Sequence, residues 1–364
     1  MSALRIGYDA TPLGGRRTGV GNYTGAVLQA LLAEDVEVCC LSSGRARPDL
    51  SNYPVAMHRH LPLPTRAMYL LWQWTGRPRA DLLLDDVDVY HATNYFLPPV
   101  ASARTVLTIY DLAFLKHPEW CSPKIVGPFS RGVVKHAHRA DAILTCSEAT
   151  RMDIVDLLGV SVERVHVAYG AVDPALGAAH HTGARLIEGP YILFVSTLEP
   201  RKNIEGMLRA FALAAKDIPH TLVLAGGVGW GMEGLGALIE SLGIAPRVKR
   251  MGYVDDADMH GLYAEADVFF FPSHYEGFGL PVLEAMACGC PVITSRTSSL
   301  PEVGGEAAHY VDPNDIDAMA EALRQVLGDA SLRETMGARG EKQAAKFSWK
   351  DAAARTLAVY RSLV

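Results

Sequence analysis

Short apolar runs alternate along the whole chain with longer segments in which apolar residues recur at helical spacing. Apolar runs of strand length that alternate with amphipathic helices are typical of parallel α/β sheets. The pattern predicts seven strands in the first half and six in the second, at Ile6–Asp9, Val36–Leu41, Val55–Arg59, Val87–His91, Val106–Tyr110, Ile143–Cys146, Val165–Tyr169, Ile192–Ser196, Thr221–Ala225, Val248–Met251, Val268–Phe271, Val292–Thr294 and Ala308–Val311. We therefore predict an α/β protein with two Rossmann-like domains.

The two sets of strands are separated by Pro174–Pro190, a segment rich in Ala, Gly and His that lacks an apolar period. We interpret it as a linker, and its adjacent His180 and His181 as part of that linker rather than a metal site. The predicted domains are residues 1–177 and residues 178–346, followed by a C-terminal helix over residues 347–364. Ser348 is suited to cap this last helix, and Asn203 to cap an earlier one.

Composition and charge narrow the class of protein. The chain has 364 residues, enough for two domains, and its net charge of −6 argues against nucleic acid as the main partner. Its six cysteines lack the repeated C-x-x-C spacing of a zinc site, so we expect buried free thiols. The chain opens on a predicted strand and has no apolar run of membrane-spanning length. We expect a cytoplasmic protein that at most touches the cytoplasmic membrane from one side.

The segment from Tyr275 to Gly289 carries the clearest chemical signal. Glu276 follows a predicted buried strand, whereas Glu284 lies on a helix that Pro281 is suited to begin and Gly289 to end. Amide groups at a helix N-terminus bind phosphate, and open α/β sheets bind ligands at the carboxyl ends of their strands. The segment therefore predicts a site for a molecule with both hydroxyls and phosphate, such as a sugar nucleotide.

A pair of glycosidase carboxylates is an alternative interpretation of the two glutamates. Residues eight apart on one continuous helix lie roughly 12 Å apart along its axis, which is too far for retaining hydrolysis at about 5 Å. Glycines between the glutamates break that helix, so spacing alone leaves the alternative open, although no other feature of the chain supports it.

Further strands of the second half end in residues suited to the same ligand. Arg201 and Lys202 follow one strand and precede a helix, where two cations form a candidate diphosphate site. Gly226 ends the next strand and permits close passage of the backbone. Tyr253 follows the strand after that, where nucleobases commonly stack in such folds, although packing explains this residue equally well.

The first half of the chain contributes fewer candidates. Gly19 and Gly21 begin a helix, but their spacing is G-x-G-x-x-x-G and no acidic residue ends the second strand, which disfavours a dinucleotide-binding dehydrogenase. Tyr110 and Asp111 end one strand, and His91 ends another. Asp111 is the best candidate acid here, either to bind substrate hydroxyls or to position an acceptor, with helix capping as the alternative. His91 is equally well explained as a core histidine.

Together these motifs resemble family 4 of the retaining glycosyltransferases, which have the two-Rossmann-domain fold called GT-B. The resemblance spans nearly the whole chain and rests on Gly19-Val-Gly-Asn-Tyr23, Tyr110-Asp-Leu-Ala-Phe114, Thr197-Leu-Glu-Pro-Arg-Lys-Asn203, Gly226-Gly-Val-Gly-Trp230, Gly252-Tyr-Val254, Glu276-x7-Glu284, Ser298-Ser-Leu-Pro-Glu302 and Phe347-Ser-Trp349. It implies two parallel sheets that face each other across a cleft, and a final helix that crosses back to pack on the N-terminal domain. In detail the chain is similar to bacterial mannosyltransferases that build O-antigen and related polysaccharides from GDP-mannose.

The resemblance also implies roles for individual residues. Arg201 and Lys202 would bind the donor diphosphate, Glu284 would hold the ribose hydroxyls, and Glu276 would face the transferred hexose. Backbone contacts to the donor would come from Gly19, Gly21, Gly277, Phe278, Gly279 and Leu280. The chain departs from the family at Tyr110, where related enzymes usually carry histidine. Unlike histidine, a phenol with a pKa near 10 cannot carry a positive charge at neutral pH.

We expect a hexosyltransferase that retains the anomeric configuration, needs neither metal nor cofactor, and moves mannose from GDP-mannose to a glycan or lipid-linked glycan. One alternative is a nucleotide-sugar-binding subunit with weak or no transferase activity, which Tyr110 favours. Another is a GT-B epimerase, which would convert its sugar nucleotide without an acceptor. Two basic segments, residues 66–79 and 124–139, fit either contact with an anionic lipid surface or ordinary amphipathic helices.

Overall fold

The computed structural model describes residues 3–15, 19–173, 176 and 185–364. The chain divides into two compact units, the first formed by residues 1–115, 127–170 and 348–364 and the second by residues 116–126 and 171–347. Residues 116–126 thus group with the second unit, whereas the sequence placed them in the first domain. Most of the predicted linker Pro174–Pro190, including His180 and His181, lies outside the described residues.

The first unit is built on a seven-stranded parallel sheet with the strand order β3-β2-β1-β4-β5-β6-β7. Its strands are β1 Leu4–Asp9, β2 Val36–Ser43, β3 Met57–Leu61, β4 Val89–Ala92, β5 Arg104–Thr108, β6 Ala142–Thr145 and β7 Val165–Val167. The order reverses between β1 and β4, as expected of a doubly wound sheet with helices on both faces.

The second unit is built on a six-stranded parallel sheet with the order β10-β9-β8-β11-β12-β13. Its strands are β8 Tyr191–Val195, β9 Thr221–Ala225, β10 Val248–Gly252, β11 Val268–Phe271, β12 Val292–Ser295 and β13 His309–Val311. The predicted strands are confirmed in both units, with each boundary within two residues of its predicted position.

Helices connect the strands throughout the described residues. They are α1 Gly19–Leu31, α2 Thr65–Thr75, α3 Ala113–Lys116, α4 Pro123–Arg139, α5 Glu148–Leu158, α6 Ile204–Ala214, α7 Leu235–Ser241, α8 Asp256–Ala264, α9 Leu280–Ala287, α10 Leu300–Gly304, α11 Ile316–Gly328, α12 Ala330–Ala344 and α13 Trp349–Leu363. None of the helices in the described residues is both long and apolar enough to cross a bilayer.

The central strand β11 shows why the strands of these sheets have continuous apolar sequences. All four of its residues are buried, because helices cover a parallel sheet on both faces. The Phe271 ring stacks on the rings of Phe194 and Phe269 at centroid distances of 5.5 Å each. This aromatic core supports the loop that follows β11.

The C-terminal helix α13 belongs to the first unit, as the family resemblance implied. Ser348 caps it by accepting a hydrogen bond from the backbone N–H of Asp351 at 3.0 Å. The hydroxyl of Tyr360 lies 2.6 Å from Nδ1 of His91, whose Nε2 lies 2.7 Å from Oγ1 of Thr108. Burial lowers the pKa of His91 to about 3. His91 is therefore a neutral core histidine that ties α13 to β4.

Asn203 precedes α6 as predicted, but its side chain does not cap the helix. Its backbone is left-handed, with φ at +57°, and its Nδ2 donates a hydrogen bond to the carbonyl of Pro313 at 2.7 Å. The prediction of a side-chain cap was wrong because the amide serves a long-range contact with the segment after β13 instead.

Candidate functional site

The loop that follows β11 is held by two serines that follow β12. The backbone N–H of Glu276 donates to Oγ of Ser298 at 2.8 Å. The hydroxyl of Ser299 donates to the carbonyls of Glu276 at 3.0 Å and Phe278 at 2.7 Å. Because parallel strands end at the same edge of a sheet, these serines are well placed to fix the loop that carries Glu276. Both serines lie in the motif Ser298-Ser-Leu-Pro-Glu302, whose pattern alone does not reveal this contact.

Two cations converge on the carboxylate of Glu276. Nζ of Lys202 lies 2.6 Å from Oε1, and Nη1 of Arg201 lies 3.2 Å from Oε2. Nη1 of Arg201 also donates to the carbonyl of Tyr275 at 2.9 Å. Lys202 and Glu276 are only 5% and 6% exposed, so this is a buried ion pair rather than a surface contact. We call Arg201, Lys202 and Glu276 the ion-pair cluster.

The guanidinium of Arg201 also contacts Glu199, a residue for which no role was predicted. Nη2 and Nε of Arg201 lie 2.8 and 3.2 Å from Oε1 of Glu199. Glu199 precedes Arg201 by two residues in the Glu-Pro-Arg-Lys motif. This short spacing is the sequence feature from which a contact between Glu199 and Arg201 could have been predicted. Two carboxylates therefore fix the plane of the guanidinium.

The charges in the cluster stabilise one another. Burial raises the pKa of Glu276, but the charges of Lys202 and Arg201 outweigh burial and hold that pKa below its usual range. Burial lowers the pKa of Lys202, as does the neighbouring Arg201, while Glu276 opposes both effects. Nζ of Lys202 also lies 5.1 Å from the centroid of the Phe271 ring, close enough for a cation–π contact. A carboxylate held in this way is a weak base and a good acceptor of hydrogen bonds from hydroxyls.

The loop 277–279 leads into α9, which begins at Leu280 with Pro281 in its first turn, as predicted. Gly279 has φ at +109°, and a Cβ there would lie 2.9 Å from Cδ2 of Leu300, so this turn requires glycine. The backbone of Gly277, Phe278, Gly279 and Leu280 thus forms the junction between loop and helix.

Glu284 lies on α9 but has a different partner from Glu276. The hydroxyl of Tyr263 donates to Oε2 of Glu284 at 2.8 Å. Burial raises the pKa of Glu284, although the hydrogen bond from Tyr263 opposes this shift. The structure therefore brings Arg201, Lys202 and Glu276 into direct contact and places Glu284 beside α8. No pattern in the sequence pointed to Tyr263 as the partner of Glu284.

The ends of β8, β9 and β10 are joined at the same edge of the sheet. Gly226 has φ at +133°, and a Cβ there would collide with the carbonyl oxygen of Ser196. The N–H of Gly226 donates to the carbonyl of Gly252 at 2.6 Å. Tyr253 follows directly and is 53% exposed. These close approaches place Gly226 and Tyr253 at the edge that also carries Arg201.

The candidates of the first unit have contacts of their own. Gly19 and Gly21 lie in the first turn of α1. Tyr110 is buried, and its hydroxyl lies 3.1 Å from Oγ1 of Thr24 in α1. Burial raises the pKa of Tyr110, which stays neutral. The roles predicted for these residues toward a substrate stay predictions.

Asp111 shows the contact expected of a helix cap. Its Oδ1 accepts a hydrogen bond from the backbone N–H of Ala113, the first residue of α3, at 3.1 Å. Asp111 is partly exposed, so the cap does not bury the carboxylate. In the part of the chain that the structure describes, no group of three or more His, Cys, Asp or Glu side chains is arranged to hold a metal ion.

Two α/β units, each built on a parallel sheet, define the class of GT-B glycosyltransferases, and one unit carries a buried lysine and a partly buried arginine beside glycine-rich turns at its sheet edge. The chain belongs to glycosyltransferase family 4, which confirms the predicted family. The model of the Glycosyltransferase Family 4 domain matches residues 17–176, and that of Glycosyl transferases group 1 matches residues 184–343.

Known relatives share much of the chain. The O-antigen chain mannosyltransferase B of Escherichia coli is 34% identical over 99% of this chain and 100% of that protein. The serotype-specific mannosyltransferase WbdA of Escherichia coli is 30% identical over 69% of this chain but only 32% of that longer protein.

Solved structures share the fold at low sequence identity. Sucrose-phosphate synthase of Thermosynechococcus elongatus superposes with a TM-score of 0.80 at 20% identity, covering 99% of both chains. The HepE protein of Anabaena, solved in complex with UDP and glucose, gives a TM-score of 0.75 at 18% identity, covering 99% of this chain and 100% of that one.

Proposed function

We propose that this glycosyltransferase moves mannose from GDP-mannose to a glycan or lipid-linked glycan with retention of the anomeric configuration. The observation that carries the proposal is the ion-pair cluster, which holds two cations and a carboxylate at a sheet edge rich in close backbone turns. The mannosyl group is supported by the similarity to a mannosyltransferase over nearly the full length of both chains.

Each part of the donor has a proposed partner in the second unit. Arg201 and Lys202 bind the diphosphate, since an ammonium group has three donors and Lys202 gives one of them to Glu276. Glu276 accepts hydrogen bonds from the hexose hydroxyls. Glu284 accepts hydrogen bonds from the ribose while Tyr263 fixes its orientation. Tyr253 stacks on the nucleobase.

The chemistry follows from where charge develops. When the bond between the anomeric carbon and the diphosphate breaks, negative charge grows on the leaving group, next to Arg201 and Lys202. Fixed donors in a buried site stabilise such charge strongly, by about 3–4 kcal/mol for one donor in well-studied enzymes. Two cationic side chains therefore supply what a divalent ion supplies in other transferases, and the proposed reaction needs no metal.

Retention is proposed because Glu276 is poorly suited to act as a base or nucleophile. Lys202 and Arg201 already engage its two carboxylate oxygens, and its pKa lies below the usual range. In the proposed step the acceptor attacks from the face that the diphosphate leaves, and the departing phosphate oxygen takes the acceptor proton. Proton and carbon NMR of the product tests this step, and an inverted anomeric configuration would refute it.

The hydrogen bond between Tyr110 and Thr24 favours a second candidate function. Its hydroxyl contacts Thr24 within the first unit, and a neutral phenol replaces the usual histidine. A nucleotide-sugar-binding subunit without transferase activity fits this observation. Such a subunit would bind GDP-mannose and transfer nothing. A GT-B epimerase is distinguished because it would change the sugar of the donor without any acceptor.

The decisive assay incubates purified protein with GDP-, UDP- and ADP-hexoses, with and without a mannose-terminated glycan, and follows donor and product by mass spectrometry. We expect the glycan to gain one hexose, chiefly from GDP-mannose. Glu276→Gln is expected to abolish transfer, whereas Glu240→Gln, at an exposed position on α7, leaves it unchanged. Donor binding without transfer, or donor conversion without acceptor, would replace the proposal with one of the alternatives.

A further inference from the structure

Helix α2 presents apolar side chains to solvent along one side. Trp74 is 82% exposed, and Leu70 and Leu71 are 47% and 38% exposed. With the exposed Ala67, these residues recur every three or four positions of the helix and therefore share one face. We call Ala67, Leu70, Leu71 and Trp74 the apolar stripe.

The apolar stripe is not the face that α2 packs on its own unit. Met68 and Trp72 are the buried residues of the helix, and Nε1 of Trp72 donates to the carbonyl of Pro78 at 2.8 Å. The ring of Tyr69 stacks on Phe96 at a centroid distance of 3.9 Å. Since this inner face already anchors the helix, the outer stripe is not needed for folding, and a helix apolar on both sides is typical of one with a second environment.

The sequence on both sides of the apolar stripe is strongly basic. Residues 51–80 contain four arginines and no acidic residue, in a chain whose net charge is −6. The four are Arg59, Arg66, Arg77 and Arg79, all exposed. Within the described residues none of the four forms an ion pair. Unpaired cations around exposed apolar side chains indicate an anionic, partly apolar partner.

A neighbouring helix extends the positive charge. Phe96, which stacks on Tyr69 of α2, also lies 4.4 Å from the ring of His136 in α4. Helix α4 likewise contains no acidic residue and exposes Arg131 and Lys135 one turn apart. Cations on two adjacent helices therefore widen the basic surface of the first unit.

We propose that the apolar stripe and its arginines bind an anionic membrane surface, with Trp74 inserted at the level of the headgroups. Indole rings favour this layer because they are apolar with one polar N–H, and cations nearby are drawn to anionic lipids. A symmetric contact between two copies of this chain fits poorly, because it would bring two sets of arginines together. The proposed lipid-linked acceptor gives the contact a purpose, but the binding itself requires neither donor nor acceptor.

The test is cosedimentation with vesicles of phosphatidylcholine alone or mixed with phosphatidylglycerol. We expect binding to the mixed vesicles that weakens with added NaCl. Leu70→Ser with Trp74→Ser is expected to reduce it at least tenfold, at about 0.8 kcal/mol per buried CH₂. Arg66→Gln with Arg77→Gln is expected to reduce it roughly 25-fold, at about fivefold per cation.

Matched controls lie on α5, where Met152 and Leu157 are 49% and 42% exposed. Met152→Ser with Leu157→Ser is expected to leave vesicle binding unchanged, and unaltered thermal melting of every variant shows that the fold is intact. Equal binding to vesicles with and without phosphatidylglycerol would overturn the proposal. Unchanged binding by both the serine and the glutamine double variants would also overturn it. The proposal would also be overturned if the wild type formed a dimer in sedimentation velocity and bound no vesicles, and if Trp74→Ser caused that dimer to dissociate. Because vesicle binding requires no donor, this test remains valid even if the protein is found not to bind GDP-mannose.

Discussion

Replacing Lys202 with methionine removes the charge from one side of a buried ion pair and leaves an unbranched side chain that is one heavy atom shorter. Glu276 would then keep only Arg201 as a charged partner, at 3.2 Å and shared with Glu199. Breaking a buried pair from one side costs about 3–5 kcal/mol. Since Arg201 remains, we expect Lys202→Met to lower the free energy of unfolding by about 3 kcal/mol.

The reciprocal change, Glu276→Gln, leaves Lys202 buried beside Arg201 without its carboxylate. Burial and Arg201 already lower the pKa of Lys202, and loss of Glu276 removes the larger of the two carboxylate effects, from Glu276 and Glu199, that oppose them. Between the lowered folded pKa and the usual value near 10.4, the unfolded chain binds the proton more tightly. The variant is therefore expected to gain stability, relative to the wild type, as the pH rises from 7 toward 10.

The double variant, Lys202→Met with Glu276→Gln, removes both charges. Its loss of stability is expected to fall short of the sum of the single losses by about 2 kcal/mol, because neither charge is left unpaired. Sugar transfer is not expected to recover, since in the proposed site the donor diphosphate would lose the cation of Lys202 and the hexose would lose the carboxylate of Glu276. Urea unfolding measures the first quantity and the transfer assay the second.

An exposed pair on α6 supplies the control for this cycle. Arg209 and Glu205 lie 2.7 Å apart but are 44% and 66% exposed. Arg209→Met with Glu205→Gln is expected to show a coupling below about 0.5 kcal/mol. Additive losses at Lys202 and Glu276, or transfer restored in their double variant, would refute the reasoning.

Three further predictions follow from single contacts. Gly226→Ala forces a Cβ into a backbone carbonyl at positive φ and is expected to lower stability by about 3 kcal/mol in urea unfolding; Gly227→Ala, with open space around its Cβ, should be near neutral, and equal effects would contradict the geometry. Tyr263→Phe removes the hydrogen bond to Glu284 and is expected to raise the KM for the nucleotide sugar with little change in kcat. A lower kcat with an unchanged KM would show that Glu284 acts in the chemical step rather than in binding the nucleotide sugar. Tyr110→Phe is expected to lower stability by about 1 kcal/mol and to leave kcat within about twofold, so a hundredfold loss of turnover would assign the phenol a chemical role.

Much of the fold follows from the sequence because buried parallel strands need continuous apolar runs. The run Val268–Phe271 was sufficient to predict β11, and Pro281 to predict the start of α9. Convergence at the sheet edge was also predictable, since parallel strands end on the same side. The shared sheet edge was therefore sufficient to predict that Arg201, Lys202 and Glu276 lie close together.

The remaining features depend on side-chain geometry that spacing does not reveal. Asn203 was expected to cap α6, but its amide reaches the carbonyl of Pro313. The hydroxyl of Tyr263 on Glu284 joins two helices whose relative rotation no local pattern determines. In α2 both faces are apolar, so periodicity could not show that Trp72 turns inward while Trp74 faces solvent.

The central claim is that Arg201 and its neighbours hold the diphosphate of a GDP-sugar, and calorimetric titration with GDP-mannose tests it most directly. The wild type and Arg339→Met, at an exposed position on α12, are expected to bind one equivalent with equal affinity. Arg201→Met is expected to bind tenfold to about 150-fold more weakly, as the loss of charged hydrogen bonds worth about 1.5–3 kcal/mol implies. Equal affinity in Arg201→Met and the wild type would contradict the account.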